Sequence, residues 1–155
     1  MGATGNAVPA ASPIAVRRAC LEDAARIAVL NGQLGYPSTA QDLEQRLRAV
    51  LDDPEHAIFI ATRADGEVVG WTHVLLLRTI EMGLRTEVGG LVVDENSRSL
   101  GVGQQLIEQA ESWAREKSCR TIGLRSNVVR TRAHAFYERL GYKVIKMQKS
   151  FRKEL

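Results

Sequence analysis

The stretch TEVGGLVVDENSRSLGVGQQLIEQAESWA, residues 86–114, limits the fold more than any other part of the chain. Its apolar run up to Asp94 reads as a strand, and a polar turn follows. Val102, Leu106, Ala110, Trp113 and Ala114 then recur at helical spacing. Between the two, Gly101 and Gly103 flank a single valine. Glycine there lets the backbone approach a ligand and take unusual φ angles. A strand, a glycine-bearing turn and a helix together make an anion site, because the N–H groups of the first helical turn point at whatever fills the turn. The residue pattern therefore points to a phosphate, and a pyrophosphate suits it.

Three phosphate-binding loops compete for this pattern. The Walker A form is excluded, since no Gly-Lys followed by Ser or Thr is present. The dinucleotide form fails at its third glycine, where GVGQQL has Leu106, and no acidic residue closes a following strand at the required distance. The third is taken up below.

The remaining chain supplies the rest of an α+β fold. IAVRRA (14–19) reads as a first strand, and CLEDAARIAVLNGQL as a helix with Ala24, Ile27, Ala28 and Leu34 on one face. After the break at GYP, Ser38 and Gln41 have the form of a capping box for a second helix carrying Leu43, Leu47, Val50 and Leu51. HAIFIATRADGEVVGWTHVLLL (56–77) is a hairpin in which Asp65 and Gly66 supply positive φ angles. RTIGLRSN is a strand, TRAHAFYERLG a short helix closed by Gly141, and YKVIKMQKSF a closing strand. The order is β-α-α-β-β-β-α-β-α-β, predicting a mixed, mostly antiparallel twisted sheet flanked by helices.

At 155 residues this is one domain by length, over 14–155, behind a small, polar, proline-bearing tail at 1–13 that reads as disordered. The tail has neither the basic start nor the apolar block of a signal peptide. No apolar run approaches the length that spans a bilayer, so no membrane partner is expected. Cys20 and Cys119 belong to no CxxC pattern and read as buried thiols in a reducing cytoplasm. The histidines at 56, 73 and 134 give no metal spacing, and no metal is expected. Residues 115–155 hold 12 Lys and Arg against 3 acids, leaving the earlier part net acidic. No aromatic interleaving or recognition motif accompanies that basic stretch, so a polyanionic nucleotide fits it at least as well as nucleic acid, and no nucleic-acid partner is expected.

The third phosphate loop brings in a family. LVVDENSRSLGVGQQLI is similar to the strand and Arg/Gln-x-x-Gly-x-Gly/Ala turn of the GNAT superfamily of acetyl-CoA-dependent N-acetyltransferases, and AHAFYERLGYKV resembles that family's closing helix and strand. The two occur at the family's separation, and the resemblance covers roughly residues 14–153. It implies direct acetyl transfer from acetyl-CoA, as co-substrate, to a primary amine of a small molecule or protein. A catalytically silent acetyl-CoA-binding or sensing module is the alternative.

The same resemblance assigns roles by position. Backbone groups of Leu91, Val92 and Val93 hold the pantetheine arm and acetyl carbonyl, on a strand splayed from RTIGLRSN. N–H groups of Ser99, Leu100, Gly101, Val102, Gly103 and Gln104 cradle the pyrophosphate, and Arg98 helps to neutralise it. Asn127, Arg130, Ala133 and Phe136 complete the cofactor contacts, with Arg125 and Arg132 available to the adenosine phosphate. Tyr137 protonates the leaving thiolate. The N–H of Val93 is an oxyanion donor. Many relatives use a glutamate two residues ahead of the Leu91 position, where this chain has Gly89; Glu87, on the same strand face, is the candidate base and substrate contact. Glu81 and His73 are the other candidates. The acceptor is shaped by the first two helices, Tyr36 at their LGYP junction and the loop RTIEMGLRTE. The resemblance also allows a homodimer.

Overall fold

The sheet of this computed structural model, which describes residues 13–155, is centred on the hairpin of β2 (His56–Thr62) and β3 (Val68–Thr79). The tail expected at 1–13 lies outside the described residues apart from Pro13. Only Gly66 of the two turn residues has positive φ, at 87°. Asp65 instead uses its carboxylate to accept from Glu67 N, at 2.9 Å, and Gly66 N donates to Arg63 O at 2.9 Å. A three-residue hairpin built on one glycine results, where a two-residue turn with two positive φ angles was expected.

Two further strands extend this hairpin: β1 (Ala15–Arg18) pairs with β2, and β4 (Gly83–Val93) with β3, both antiparallel. An excursion through α3 (Val102–Glu116) returns β5 (Ile122–Leu124) parallel to β4. The sheet order is β1-β2-β3-β4-β5. RTIEMGLRTE, expected as a loop, is mostly strand: β3 runs to Thr79 and β4 starts at Gly83, leaving a tight turn at 80–82. The β-branched and apolar residues on both arms make the longer ladder.

On one face, α1 (Ala24–Gln33) and α2 (Ala40–Val50) bring Ile27, Leu30, Leu43 and Leu47 against Ile58, Ile60 and Val92. Each such side chain contributes about 1.5–3 kcal/mol on burial. On the other face, α3 packs Val102 and Leu106 over Gly70. The capping box of α2 lies one residue beyond the expected Ser38 and Gln41. Thr39 Oγ1 accepts from Asp42 N at 3.0 Å, and Asp42 accepts from Thr39 N at 2.9 Å. Ser38 is taken up by Asn31, Arg46 and the carbonyl of Tyr36. Cys20 is exposed rather than buried, because it opens the short turn whose Asp23 carboxylate accepts from its N–H and Sγ; Cys119 is half-buried.

Contacts divide the chain after Leu124, and residues 125–155 form a second unit. Within it α4 (Thr131–Arg139) ends as expected at Gly141, φ 91°. Tyr142 N bonds Tyr137 O and Gly141 N bonds Glu138 O, the paired bonds of a Schellman cap. The closing strand expected at YKVIKMQKSF does not form: residues 142–155 carry no regular element, and Val144, Ile145, Met147 and Phe151 are exposed. Alternating apolar residues make a strand only where a ladder partner satisfies their backbone, and none is paired to this segment.

Candidate functional site

The turn after β4 is held rigid from two sides. Asp94 accepts from Asn96 N, caps the one-turn 3-10 helix at Glu95–Ser97, and pairs with Arg26 of α1 at 2.7 Å. Gln33 Oε1 accepts from Glu95 N. From the hairpin, Arg63 donates to Ser97 Oγ at 2.7 Å. Burial opposes the Asp94 charge, yet the bonds from Asn96, Gln33 and Arg26 hold its carboxyl below the usual range. The ion pair is therefore present at neutral pH.

Beyond that anchor the chain turns sharply, with Ser99 at φ 65° and Gly101 at φ 78°. Gly101 is the N-cap of α3 and provides no side chain to its first turn. The amides of Val102, Gly103 and Gln104 therefore have neither an intrahelical nor a side-chain acceptor. Arg98, Ser99, Leu100 and Gly101 are all exposed beside them. This arrangement fits a polyphosphate: donors converge, no Cβ stands at 101, and a guanidinium is adjacent.

A second opening lies on β4. β5 pairs with it only at Thr86, Glu87 and Val88, so from Gly89 to Val93 that edge of β4 has no paired β5 residue. Leu91, Val92 and Val93 lie on this unpaired stretch of β4. Gly89 is itself a bulge: Val74 opposes Val88 and His73 opposes Gly90, leaving Gly89 unpaired on β3.

The bulge gathers several candidate residues. Glu87, opposite Leu75 and Gly123, is half-buried two residues before it. A Cβ built at Gly89 would lie 3.6 Å from His73 Nδ1 and 3.1 Å from Leu75 Cδ2. His73 Nε2 in turn meets His56 Nδ1 at 2.9 Å, with the two rings stacked at 5.2 Å. Asp53 lies 3.9 Å from His56 Nε2. Burial, aided by the neighbouring His56, pushes the His73 imidazole down to about 4, so it is neutral at pH 7. His56 was not singled out by sequence; its signal was the hairpin register, which sets His73 opposite Ile58 and so diagonal to His56. Glu81 is exposed in the turn at 80–82 and is not brought to this cluster; Tyr36 is exposed at the α1–α2 junction, its carbonyl fixed by Asn31.

In the second unit, Tyr137 stacks edge-on with Phe136 at 5.1 Å and with Tyr142 at 5.9 Å. Burial raises its phenol above the ordinary value while Arg130 pulls the other way, so it keeps its proton at neutral pH. Ala133 is half-buried on the same helix. Asn127 is used locally, accepting from Val129 N through its side chain and from Arg130 N through its carbonyl, and so shapes the entry to α4.

Comparison with known proteins adds to this geometry. Residues 22–142 match the acetyltransferase (GNAT) family. An aminoglycoside N(6′)-acetyltransferase type 1 of Stenotrophomonas maltophilia is 33% identical over 136 residues, covering 85% of this chain and 88% of that protein. Among solved structures, the aminoglycoside N-acetyltransferase AAC(6′)-Iy in complex with CoA superposes with a TM-score of 0.82 at 22% identity, covering 96% of this chain and 100% of the other. A transcriptional regulator from Bacillus halodurans C-125 gives 0.82 at 21% identity, covering 91% and 100%. At these identities the structural matches speak for the fold alone.

Proposed function

Since the chain belongs to the acetyltransferase (GNAT) family and is an acetyl-CoA-dependent N-acetyltransferase, we propose that its acceptor is the 6′-amine of an aminoglycoside. The observation that carries this reading is the 33% identity, over most of both chains, to an enzyme named for that substrate. Charge supports it: the chain is net acidic before residue 115, which suits a polycationic acceptor. The silent-module alternative rested on the glycine at 89 and gives way to the family's activity.

In this proposal the amides of Ser99 to Gln104 hold the pyrophosphate with Arg98, and the open edge at Leu91, Val92 and Val93 holds the pantetheine arm. Asn127, Arg130, Ala133 and Phe136 are read, by family position, as further cofactor contacts. Bound acetyl-CoA supplies an acetyl thioester, whose C–S bond breaks as the acceptor nitrogen bonds the acetyl carbon. The N–H of Val93 donates to the carbonyl oxygen as charge builds there, and Tyr137 gives its phenolic proton to sulfur. Glu87 binds the substrate ammonium, which gives up one proton to solvent before its nitrogen attacks. Holding amine and thioester in attacking geometry supplies much of the rate. In this reading residues 14–155 act as one domain, in the cytoplasm.

The acceptor is tested by supplying acetyl-CoA with an aminoglycoside bearing a 6′-amine, the same scaffold bearing a 6′-hydroxyl, spermidine and a lysine peptide. Acetyl should appear, by NMR of the product, on the 6′-nitrogen of the first alone. Transfer to the 6′-hydroxyl scaffold at a similar kcat/KM would refute the regiochemistry, and preference for spermidine or the peptide would refute the substrate class.

A further inference from the structure

We propose that His73 is the base of this acetyltransferase, its Nδ1 taking the proton from the acceptor nitrogen, and that His56 is the positioning residue that fixes its tautomer. The inference rests on the acetyltransfer reading and deepens it.

The geometry runs in one direction from the surface inward. The Asp53 carboxylate, 3.9 Å from His56 Nε2, lies beyond direct hydrogen-bond reach but favours a proton on that nitrogen through its field or a bridging water. His56 Nδ1 is then an acceptor. Its 2.9 Å contact with His73 Nε2 requires a proton between them, so that proton belongs to His73 Nε2. The remaining His73 nitrogen, Nδ1, consequently carries a lone pair, and it is the atom that lies 3.6 Å from where a side chain at position 89 would begin. Position 89 in the bulge is glycine, so β4 sets no side chain of that residue against Nδ1.

The charged and titratable groups around His73 agree with this role. They are His56 on β2, Asp53 before it and Glu87 on β4. Burial keeps the imidazole neutral, so the acceptor form is populated throughout the neutral range. A nitrogen bonding to a carbonyl carbon becomes more acidic as the bond forms, so a weakly basic acceptor suffices at that moment. The N–H electron pair stays on the amide nitrogen, the proton passes to His73 Nδ1, and the imidazolium gives it up to solvent as Tyr137 regains from solvent the proton it gave to sulfur. No oxidation or reduction is involved.

The substrate-independent test is long-range nitrogen–proton NMR of the histidine side chains in the intact protein. His73 should show a protonated Nε2 and a bare Nδ1 from pH 6 to 8; a protonated Nδ1 over that range overturns the proposal even if no acceptor has been found. The kinetic test uses His73→Gln, which can keep the bond to His56 but lacks the base. Its kcat should fall about a hundredfold at pH 7 with KM for acetyl-CoA unchanged, and the deficit should shrink as rising pH lets hydroxide take the same proton. His56→Asn, which retains an acceptor oxygen, should keep most of the rate that His56→Leu loses. Adding Gly89→Glu to His73→Gln should restore turnover, since the new side chain displaces only the end of Leu75. A His73→Gln protein within threefold of wild type, or one equally impaired at every pH, overturns the proposal. A wild-type protein that acetylates no amine while showing the expected tautomer would instead sink the acetyltransfer reading.

Discussion

Tyr137→Phe should lower kcat for acetyl transfer by about a hundredfold while leaving KM for acetyl-CoA within about threefold, because it deletes one proton and little else. The phenylalanine ring can keep the edge contacts with Phe136 and Tyr142, so the helix that carries it is not disturbed. The sign of the pH dependence follows from burial. A phenol whose pKa is raised retains its proton past the ordinary value of about 10, so the wild-type rate should not decline through loss of this acid below that pH. Steady-state kinetics from pH 6 to 10 checks both points. A variant with wild-type kcat would remove Tyr137 from the chemistry.

The second large effect is on folding. Gly70 lies on β3 beneath α3, and a Cβ there would sit 2.9 Å from the backbone oxygen of Val92, 3.1 Å from Leu106 Cδ1 and 3.2 Å from Val102 Cγ1. The backbone oxygen cannot step aside as a side-chain tip would. Gly70→Ala should therefore cost about 1–3 kcal/mol, and Gly70→Val more, as an overpacked core does. In a domain of this size each kcal/mol lowers Tm by roughly 2–4 °C. Because the displaced groups are β4 at Val92 and the first turns of α3, the same variants should weaken CoA binding. Gly32→Ala is the control: its Cβ meets nothing within 4 Å, and it should gain about 0.5–1 kcal/mol as an ordinary helix substitution. Calorimetric melting decides. Equal stability for the Gly70 and Gly32 variants would mean that β3 and α3 do not pack as described.

Much of this was legible in the sequence because local rules and tertiary contacts agree. The apolar spacing of Val102, Leu106 and Ala110 is also the buried face of α3, and Gly101 stands where the chain must take positive φ. The misreadings occur where a local signal had two solutions or a distant partner. Ser38 and Thr39 can both cap a helix, and only the contacts of Asn31 and Arg46 with Ser38 leave Thr39 to do it. The alternation in YKVIKMQKSF was read as a strand, but an apolar pattern does not supply the ladder that a strand requires.

The site follows the same division. The glycine turn proposed to hold the pyrophosphate is continuous in sequence and so legible there. The histidine pair is not: His56 and His73 lie 17 residues apart and meet only through the register of the β2–β3 hairpin. Gly89-Gly90 marked an irregular strand, yet the bulge becomes visible only when His73 is seen opposite Gly90 and Val74 opposite Val88. That bulge is what brings His73 beside position 89, and it favours the imidazole among the base candidates that the sequence offers, Glu87, Glu81 and His73.

The central claim, that the Gly101 turn and the open edge of β4 hold acetyl-CoA, is tested most directly by calorimetric titration of CoA into the wild-type protein and into Gly101→Val. Valine at a φ of 78° is strained and should pull the turn away from its phosphate-binding shape. The account predicts one CoA per chain for wild type and affinity weakened at least tenfold in the variant. No binding by the folded wild-type protein at millimolar CoA, or equal affinity in the two proteins, would contradict it.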